Sequence, residues 1–302
     1  MRIEMIIPPA FSSGRPADQR TSGLGTTGDA YLADGLSDRL GAHADVTVRD
    51  LQATVDDAPA DPIPRLEAIN AVIAQSVSGA ITAGSAPLLT GGSCVSLPGM
   101  LGGMQRGYGP AARIGLIWFD AHGDFNTPKT TLTGMLGGMP VAVSAGLCYP
   151  TWRVAAGLDL PIPTDRIIMV DVRNLDPAER TLIEATDIQV VEVPDLSAAS
   201  SPFADAVAAM AGSVDHIYLH IDADVLDAHY QPNHPTVEPD GPSLEDVNAA
   251  MDLVLATGKV RAFGVVSVNA EGPEGPVSMA SGMAMIESAI ATWTQVEPVG
   301  VR

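Results

Sequence analysis

The sequence predicts an α/β fold in which a parallel sheet is covered by helices on both faces. Three observations predict it. Short β-type apolar runs alternate with helix-spaced stretches along the whole chain, which is the rhythm of βαβ units. Two of those runs, 114–119 (IGLIWF) and 216–221 (HIYLHI), are largely apolar, as strands buried on both faces are. Both run straight into clusters of acids and histidine, and in open α/β sheets ligands bind beyond the carboxyl ends of strands.

The elements follow in order. Residues 3–7 form a first strand, stopped by Pro8-Pro9. Residues 12–28, rich in Gly, Ser, Thr and Arg, suit a loop lying over a site. Residues 30–40 have helix spacing and 46–48 form a short strand. A Pro/Asp-rich surface connection, 56–64, precedes a helix over 65–84. A brief buried strand at 87–90 ends in Gly91-Gly92-Ser93-Cys94, and a helix starts near Val95. After the strand into Asp120, the Gly- and Met-rich segment 133–146 leads to another helix. Strands at 166–171 and 188–193 then alternate with helices at 177–185 and 201–211. The strand ending in Asp222 is followed by an amphipathic helix over 244–257, with Ser243 as its N-cap. Residues 260–268 close the sheet and 281–293 form the last helix. No repeat, low-complexity tract or linker interrupts this order, so 1–302 reads as one domain.

Composition narrows the function classes. With 46% hydrophobic residues in 302, the chain has ample material for a large core. Sixteen basic against 36 acidic residues give a formal charge of −20, which excludes nucleic acid and anionic membrane as partners because both need a basic face. Two cysteines, Cys94 and Cys148, are too few for a disulfide framework and fit a reducing compartment. No leader-like start and no 18-residue apolar stretch is present, so a soluble, cytoplasmic protein is expected. No interface segment stands out, and a homo-oligomer is compatible with the sequence.

The chemistry lies in the strand tips. Asp120, His122 and Asp124 alternate along the chain, so in extended backbone they project the same way. Asp222 and Asp224 repeat that spacing after the second apolar run, with Asp227 beyond. Carboxylates and an imidazole gathered at one place repel and desolvate badly unless a cation sits among them. Oxygen-rich ligation with one imidazole suits Mn²⁺ and, less selectively, other divalent ions. Two ions roughly 3.5–4 Å apart can hold a hydroxide at neutral pH and aim it at an electrophilic carbon. The plainer reading, that these aspartates are turn residues, fits either motif alone better than both together.

With DAHGDFNTP at 120–128, DADVLD at 222–227 and the Gly-Gly-x-Cys strand end at 91–94, the chain resembles the arginase/agmatinase ureohydrolases. The resemblance extends over nearly the whole chain. It implies a single three-layer α/β/α domain with a central, mainly parallel sheet of about eight strands, and hydrolysis of a guanidino or amidino C–N bond with two divalent ions, Mn²⁺ by first choice. Carried over by position, Cys94, Asp120, Asp124 and Asp222 would hold the first ion, and Asp120, His122, Asp222 and Asp224 the second. The resemblance also gives Asn126, Thr131 and Thr133 to a substrate α-carboxylate and Asp176 to its α-amino group. A small substrate with an amino-acid-like head group follows.

Three positions depart from the family pattern. Cys94 stands where most members have a histidine ligand, and a soft sulfur there would admit Zn²⁺ or Fe²⁺ more readily. With the DFNTP…TTLTGMLGGM continuation, Cys94 is similar to the branch that hydrolyses N-hydroxy-arginine in D-cycloserine biosynthesis. Gly137 replaces the histidine that shuttles protons in arginases. His220, which shares strand parity with Asp222, is a candidate in its stead, equally readable as a packed histidine hydrogen-bonded behind the metals. His229 and His234 lie in a loop past Asp227, where surface histidines are the commoner case. Ser267 stands where an acid pairs with the guanidinium, and Glu271 substitutes for that acid only if its loop turns back. Two other readings therefore stay open: a metallohydrolase of amide, lactam or formimino C–N bonds, and a non-catalytic partner subunit with a decayed site.

Overall fold

A computed structural model describes residues 1–11, 22–55, 59–193 and 201–296. Eight strands run β1 (Arg2–Ile7), β2 (Asp45–Asp50), β3 (Ala86–Thr90), β4 (Ile114–Phe119), β5 (Ile167–Val170), β6 (Gln189–Val191), β7 (His216–Asp222) and β8 (Val260–Val266). They form one sheet in the order β2-β1-β3-β8-β7-β4-β5-β6, and every pairing is parallel. The last strand therefore does not close an edge. It fills the interior between β3 and β7, as its seven buried residues require.

Among the described residues eleven helices cover the sheet: α1 (Ser22–Gly25), α2 (Thr27–Ala33), α3 (Leu36–Leu40), α4 (Pro62–Thr82), α5 (Leu97–Tyr108), α6 (Pro140–Ser144), α7 (Pro150–Ala155), α8 (Pro177–Glu184), α9 (Pro202–Ser213), α10 (Leu244–Leu255) and α11 (Gly275–Trp293). The alternation of strand residues sorts them into two layers. Ile117, Phe119, Leu219 and Ile221 pack with residues of α2, α3, α9, α10 and α11. Leu116, Trp118 and Tyr218 pack on the other face with α4, α5, α6 and α8. Helices on both faces of a parallel sheet give the expected three layers.

Some boundaries differ from expectation, each for a local reason. The expected helix over 30–40 is two helices, because Gly35 at φ 74 turns the chain out of register. The expected loop at 12–28 is helical from Ser22, while 12–21 lie outside the described residues. α11 begins at Gly275 rather than Ser281, with Pro276 in its first turn, where the missing N–H costs nothing. α4 begins at Pro62, inside the expected surface connection, of which 56–58 lie outside the described residues.

Two backbone features serve the sheet's carboxyl edge. Gly91 and Gly92, at φ 80 and 71, turn the chain as it leaves β3. That turn is tied to β8, since Gly91 N donates to Val265 O at 3.1 Å and Ser267 N to Gly92 O at 2.9 Å. Gly264 in β8 leaves room for the Tyr218 hydroxyl, which would lie 2.5 Å from a β-carbon there. No helix among the described residues is long and apolar enough to cross a membrane.

Candidate metal centre

Cys94, Asp120, Asp222 and Ser267 all leave the carboxyl ends of β3, β4, β7 and β8, which are the four adjacent central strands. The site is thus built where sequence position predicts it, by loops whose bases are held in register. Its side chains face a cavity of about 620 Å³.

The local folding of the two acid motifs repeats. Asp120 Oδ1 accepts from His122 N at 2.6 Å, and Asp222 Oδ1 accepts from Asp224 N at 3.0 Å. Each first aspartate therefore closes a turn on its own backbone, the habit of Asp after a strand. The side chains converge because the chain bends here, not because extended backbone continues through Asp124 as the alternation implied. Asp124 is itself at φ 45 and Ser267 at φ 63, in the left-handed region that disfavours side chains with a β-carbon. Such strain gathers where a site over-determines the backbone. The two motifs are also stitched together, Ala121 N donating to Asp224 Oδ1 at 3.2 Å.

Among the described residues three groups each bring their donor atoms within 4.8 Å of one another: Cys94, Asp120 and Asp222; Asp120, His122 and Asp224; and Asp222, Asp224 and His234. The first two are subsets of the expected ligand sets. Asp124 lines the same cavity but falls outside all three. Asp120, Asp124, Asp222 and Asp224 are at most 8% exposed.

That burial governs the charges. Burial raises Asp120 and Asp124 well above the carboxylate range; the Asp224 and Asp222 charges add to it at Asp120, while His122 opposes it at Asp124. Asp222 is pushed up to about 6 by burial and by Asp224. Burial would raise Asp224 as well, yet His122 and His234 beside it hold it below the usual range. Burial, then Asp222, Asp124 and Asp120, push the Cys94 thiol well up. Four carboxyl groups buried together, three of them raised, form a donor set suited to divalent cations, which remove the repulsion.

The remaining expected residues divide into those that reach the cavity and those that do not. Asn126, Thr131, Thr133, Asp176, Gly137 and Ser267 all line it. Asn126 Nδ2 donates to Asp176 Oδ2 at 3.2 Å, and Leu132 N approaches the same oxygen at 3.3 Å. Ser267, expected to touch substrate, is 3% exposed and donates through Oγ to Asp222 Oδ2 at 2.5 Å. Glu271 is exposed, receives the Thr26 hydroxyl at 3.4 Å and does not line the cavity, so its loop does not turn back.

His220 does not line the cavity either. It is fully buried, stacks on Trp118 at 4.1 Å between ring centres, meets Tyr218 OH through Nδ1 at 3.0 Å and lies 3.5 Å from Cys94 Sγ through Nε2. Burial lowers it to about 3. A neutral ring sealed behind Cys94 positions the thiol; the geometry matches the packed histidine rather than the shuttle.

Several residues gain importance only in three dimensions. His234 is 8% exposed and lines the cavity, with Nε2 3.6 Å from Asp222 Oδ1, whereas His229 is exposed beside Asp227. Glu238 Oε1 lies 3.4 Å from His122 Nε2, the second-nitrogen partner that orients a ligand histidine. Glu179 accepts from Phe125 N at 2.9 Å and Asp176 N at 3.2 Å, fixing α8 against the DFNTP loop. Its spacing from Asp176 is a capping-box pattern, a signal present in the sequence.

The arginase family model matches residues 27–291. Arginase from Bacillus caldovelox is 27% identical over 237 residues, covering 78% of this chain and 74% of that protein. N(omega)-hydroxy-L-arginine amidinohydrolase from Streptomyces lavendulae is 28% identical over 254 residues, 84% of each. Among solved structures, arginase from Bacillus caldovelox superposes with a TM-score of 0.82 at 23% identity, covering 96% of this chain and 97% of that one.

Proposed function

The chain belongs to the arginase family, and from that premise we propose that it is a dinuclear metal-dependent hydrolase. It cleaves a guanidino or N-hydroxyguanidino C–N bond in a small amino-acid-like substrate and releases urea or a substituted urea. The observation that carries this reading is the convergence of Cys94, Asp120, His122, Asp222 and Asp224 on one cavity, from the tips of adjacent strands. A non-catalytic descendant would have no use for four aspartates buried against one another at such electrostatic cost.

Cys94, Asp120, Asp124 and Asp222 would hold the first ion, and Asp120, His122, Asp222 and Asp224 the second. The donor chemistry fits Mn²⁺ by its oxygens, with the Cys94 sulfur widening tolerance toward Zn²⁺ or Fe²⁺. When bound, the ion pair supplies Lewis acidity and a nucleophilic oxygen at neutral pH. The chain's own groups do the rest. Asp124, a buried carboxylate on the cavity wall, takes the proton released by the attacking water and passes it to the leaving nitrogen. Asn126, Thr131 and Thr133 receive the substrate carboxylate and Asp176 its amino group. Phe11, Leu24 and Met135 give the cavity an apolar wall that limits water.

The substituted guanidine is favoured over arginine itself. The cavity lacks an imidazole at Gly137 and an acid at Ser267, and Glu271 lies away from it. An N-hydroxylated guanidine relaxes both needs, and it is the compound named for the Streptomyces relative. The two cysteines are unpaired, which supports a cytoplasmic location.

The test is a release assay for urea, hydroxyurea and ammonia on arginine, N-hydroxy-arginine, agmatine and guanidino acids with added Mn²⁺. Hydroxyurea from N-hydroxy-arginine is expected in preference to urea from arginine. Ammonia without either urea, or no turnover of any compound, overturns the proposal.

A further inference from the structure

Ser267 sits in a backbone conformation that an L-residue adopts only against resistance. Its φ of 63 lies in the left-handed region, where glycine alone has no β-carbon to crowd the following carbonyl. The chain does use glycine for that conformation at Gly91 and Gly92, and it keeps a serine here. The residue is 3% exposed and lines the cavity. Strain of this kind persists where the surroundings over-determine it, and the contacts of Ser267 show what does so.

β8 lies between β3 and β7 in the sheet, and Ser267 is the first residue past its end. It ties the exits of the two neighbouring strands together. On one side Ser267 N donates to Gly92 O at 2.9 Å, in the turn that carries Cys94 two residues on. On the other side Ser267 Oγ donates to Asp222 Oδ2 at 2.5 Å. The second oxygen of that carboxylate, Oδ1, accepts from Asp224 N at 3.0 Å. A carboxylate held at both oxygens no longer turns freely about its last torsion, so its remaining lone pairs keep fixed directions. Cys94 Sγ stands 2.8 Å from the same Oδ2.

We propose that Ser267 is a positioning residue for the first ion: its hydroxyl holds the Asp222 carboxylate in the orientation that presents Oδ2 beside Cys94 Sγ. The proposal rests on the dinuclear reading above and gives Ser267 a task other than touching substrate. One lone pair of Oδ2 takes the hydroxyl and another stays open to a cation, so the bond aims the ligand without occupying it. Removing a group that orients a ligand in this way typically changes metal affinity by about ten- to a hundredfold. The triad of Asp120, His122 and Asp224 does not include Asp222, so the effect falls chiefly on the ion beside Cys94. The left-handed backbone at Ser267 is then retained because a hydroxyl is needed where glycine would fit the chain better.

The experiment compares wild type, Ser267→Gly and Ser267→Ala. Both variants lack the hydroxyl, and only glycine relieves the backbone. Mn²⁺ affinities are read from the electron paramagnetic resonance of free Mn²⁺, Co²⁺ spectra mark the ion bound to Cys94, and thermal melts of the metal-free proteins report the backbone. Affinity for the ion beside Cys94 should fall by about tenfold or more in both variants, with a much smaller change at the other ion. Metal-free Ser267→Gly should melt above Ser267→Ala, so that affinity follows the hydroxyl and not the stability. Affinity that recovers in Ser267→Gly gives Ser267 a purely structural role and overturns the inference. Wild-type affinity in either variant, equal losses at both ions, or Ser267→Gly melting at or below Ser267→Ala also overturns it. In all these cases wild type still takes up two ions and the hydrolase reading stands. If wild type binds no pair of ions, or none beside Cys94, the dinuclear reading falls, and this inference with it.

Discussion

The Sγ of Cys94 lies 2.8 Å from Oδ2 of Asp222. Ser267 Oγ reaches the same oxygen, so groups leaving β3 and β8 converge on the carboxylate that ends β7, the strand beside β8. Cys94 is therefore a member of the acid cluster and not a small apolar filler under it. A divalent ion among these atoms displaces the thiol proton. Protein loaded with Co²⁺ should show a sulfur-to-metal charge-transfer band in the near ultraviolet, absent in Cys94→Ser. Affinity for the first ion should fall by about tenfold or more in that variant. An identical spectrum in the variant would remove Cys94 from the ligand set.

Asp120 and Asp224 belong to the same donor triad around His122, so replacing either should disable the pair of ions. Asp120→Ala and Asp224→Ala should each lower kcat/KM by about a thousandfold or more, the loss of several kcal/mol of transition-state stabilisation. Far-ultraviolet circular dichroism should stay close to wild type. Unchanged turnover in both variants would reject the metallohydrolase assignment.

Proton and metal compete for the same oxygens. Asp120, Asp124 and Asp222 are raised in the folded chain, Asp222 to about 6, above the unfolded value near 4. Between those values the folded, metal-free protein holds protons that the unfolded chain has released, so its stability falls as pH rises through the window. Bound ions require the deprotonated groups. The rise in Tm produced by saturating Mn²⁺ should therefore grow from pH 5 to pH 8, with up to about tenfold in apparent affinity per pH unit for each proton displaced. Thermal melts with and without Mn²⁺ check it; a rise in Tm that is flat or shrinks with pH contradicts it.

Packing between helices makes a separate prediction. A β-carbon on Gly102 of α5 would meet Ala156 O at 2.0 Å and Leu158 N at 2.8 Å, both backbone atoms after α7. Backbone cannot rotate aside, so Gly102→Ala should destabilise by about 3 kcal/mol through overpacking. Chemical denaturation reads the loss, and a shift under about 0.5 kcal/mol, the range of neutral surface changes, would show that the α5–α7 contact is looser than described.

The strand tips were legible because a parallel sheet forces long apolar runs, and DAHGD and DADVLD sit at their ends. All eight strands occur within a few residues of expectation. What composition hid was local. Ser22–Gly25 reads as loop material yet is helical, and α11 starts at Gly275, ahead of the helix expected from Ser281. The convergence of the acids was expected for the wrong reason, since Asp120 and Asp222 each close a turn rather than extend the strand. Tertiary reach was beyond single-sequence reading: His234 and Glu238 approach Asp222 and His122 only because the 227–243 connection folds back over the cavity. His220 had two readings of equal weight from strand parity, and burial against Trp118 distinguishes them.

The most direct measurement is a crystal structure of the protein soaked in Mn²⁺, with anomalous scattering collected to count ions. Two anomalous peaks roughly 3.5–4 Å apart should appear, one against Cys94, Asp120, Asp124 and Asp222 and one against Asp120, His122, Asp222 and Asp224. A single peak, or none at these side chains after the soak, would contradict the dinuclear site on which the proposed hydrolysis depends.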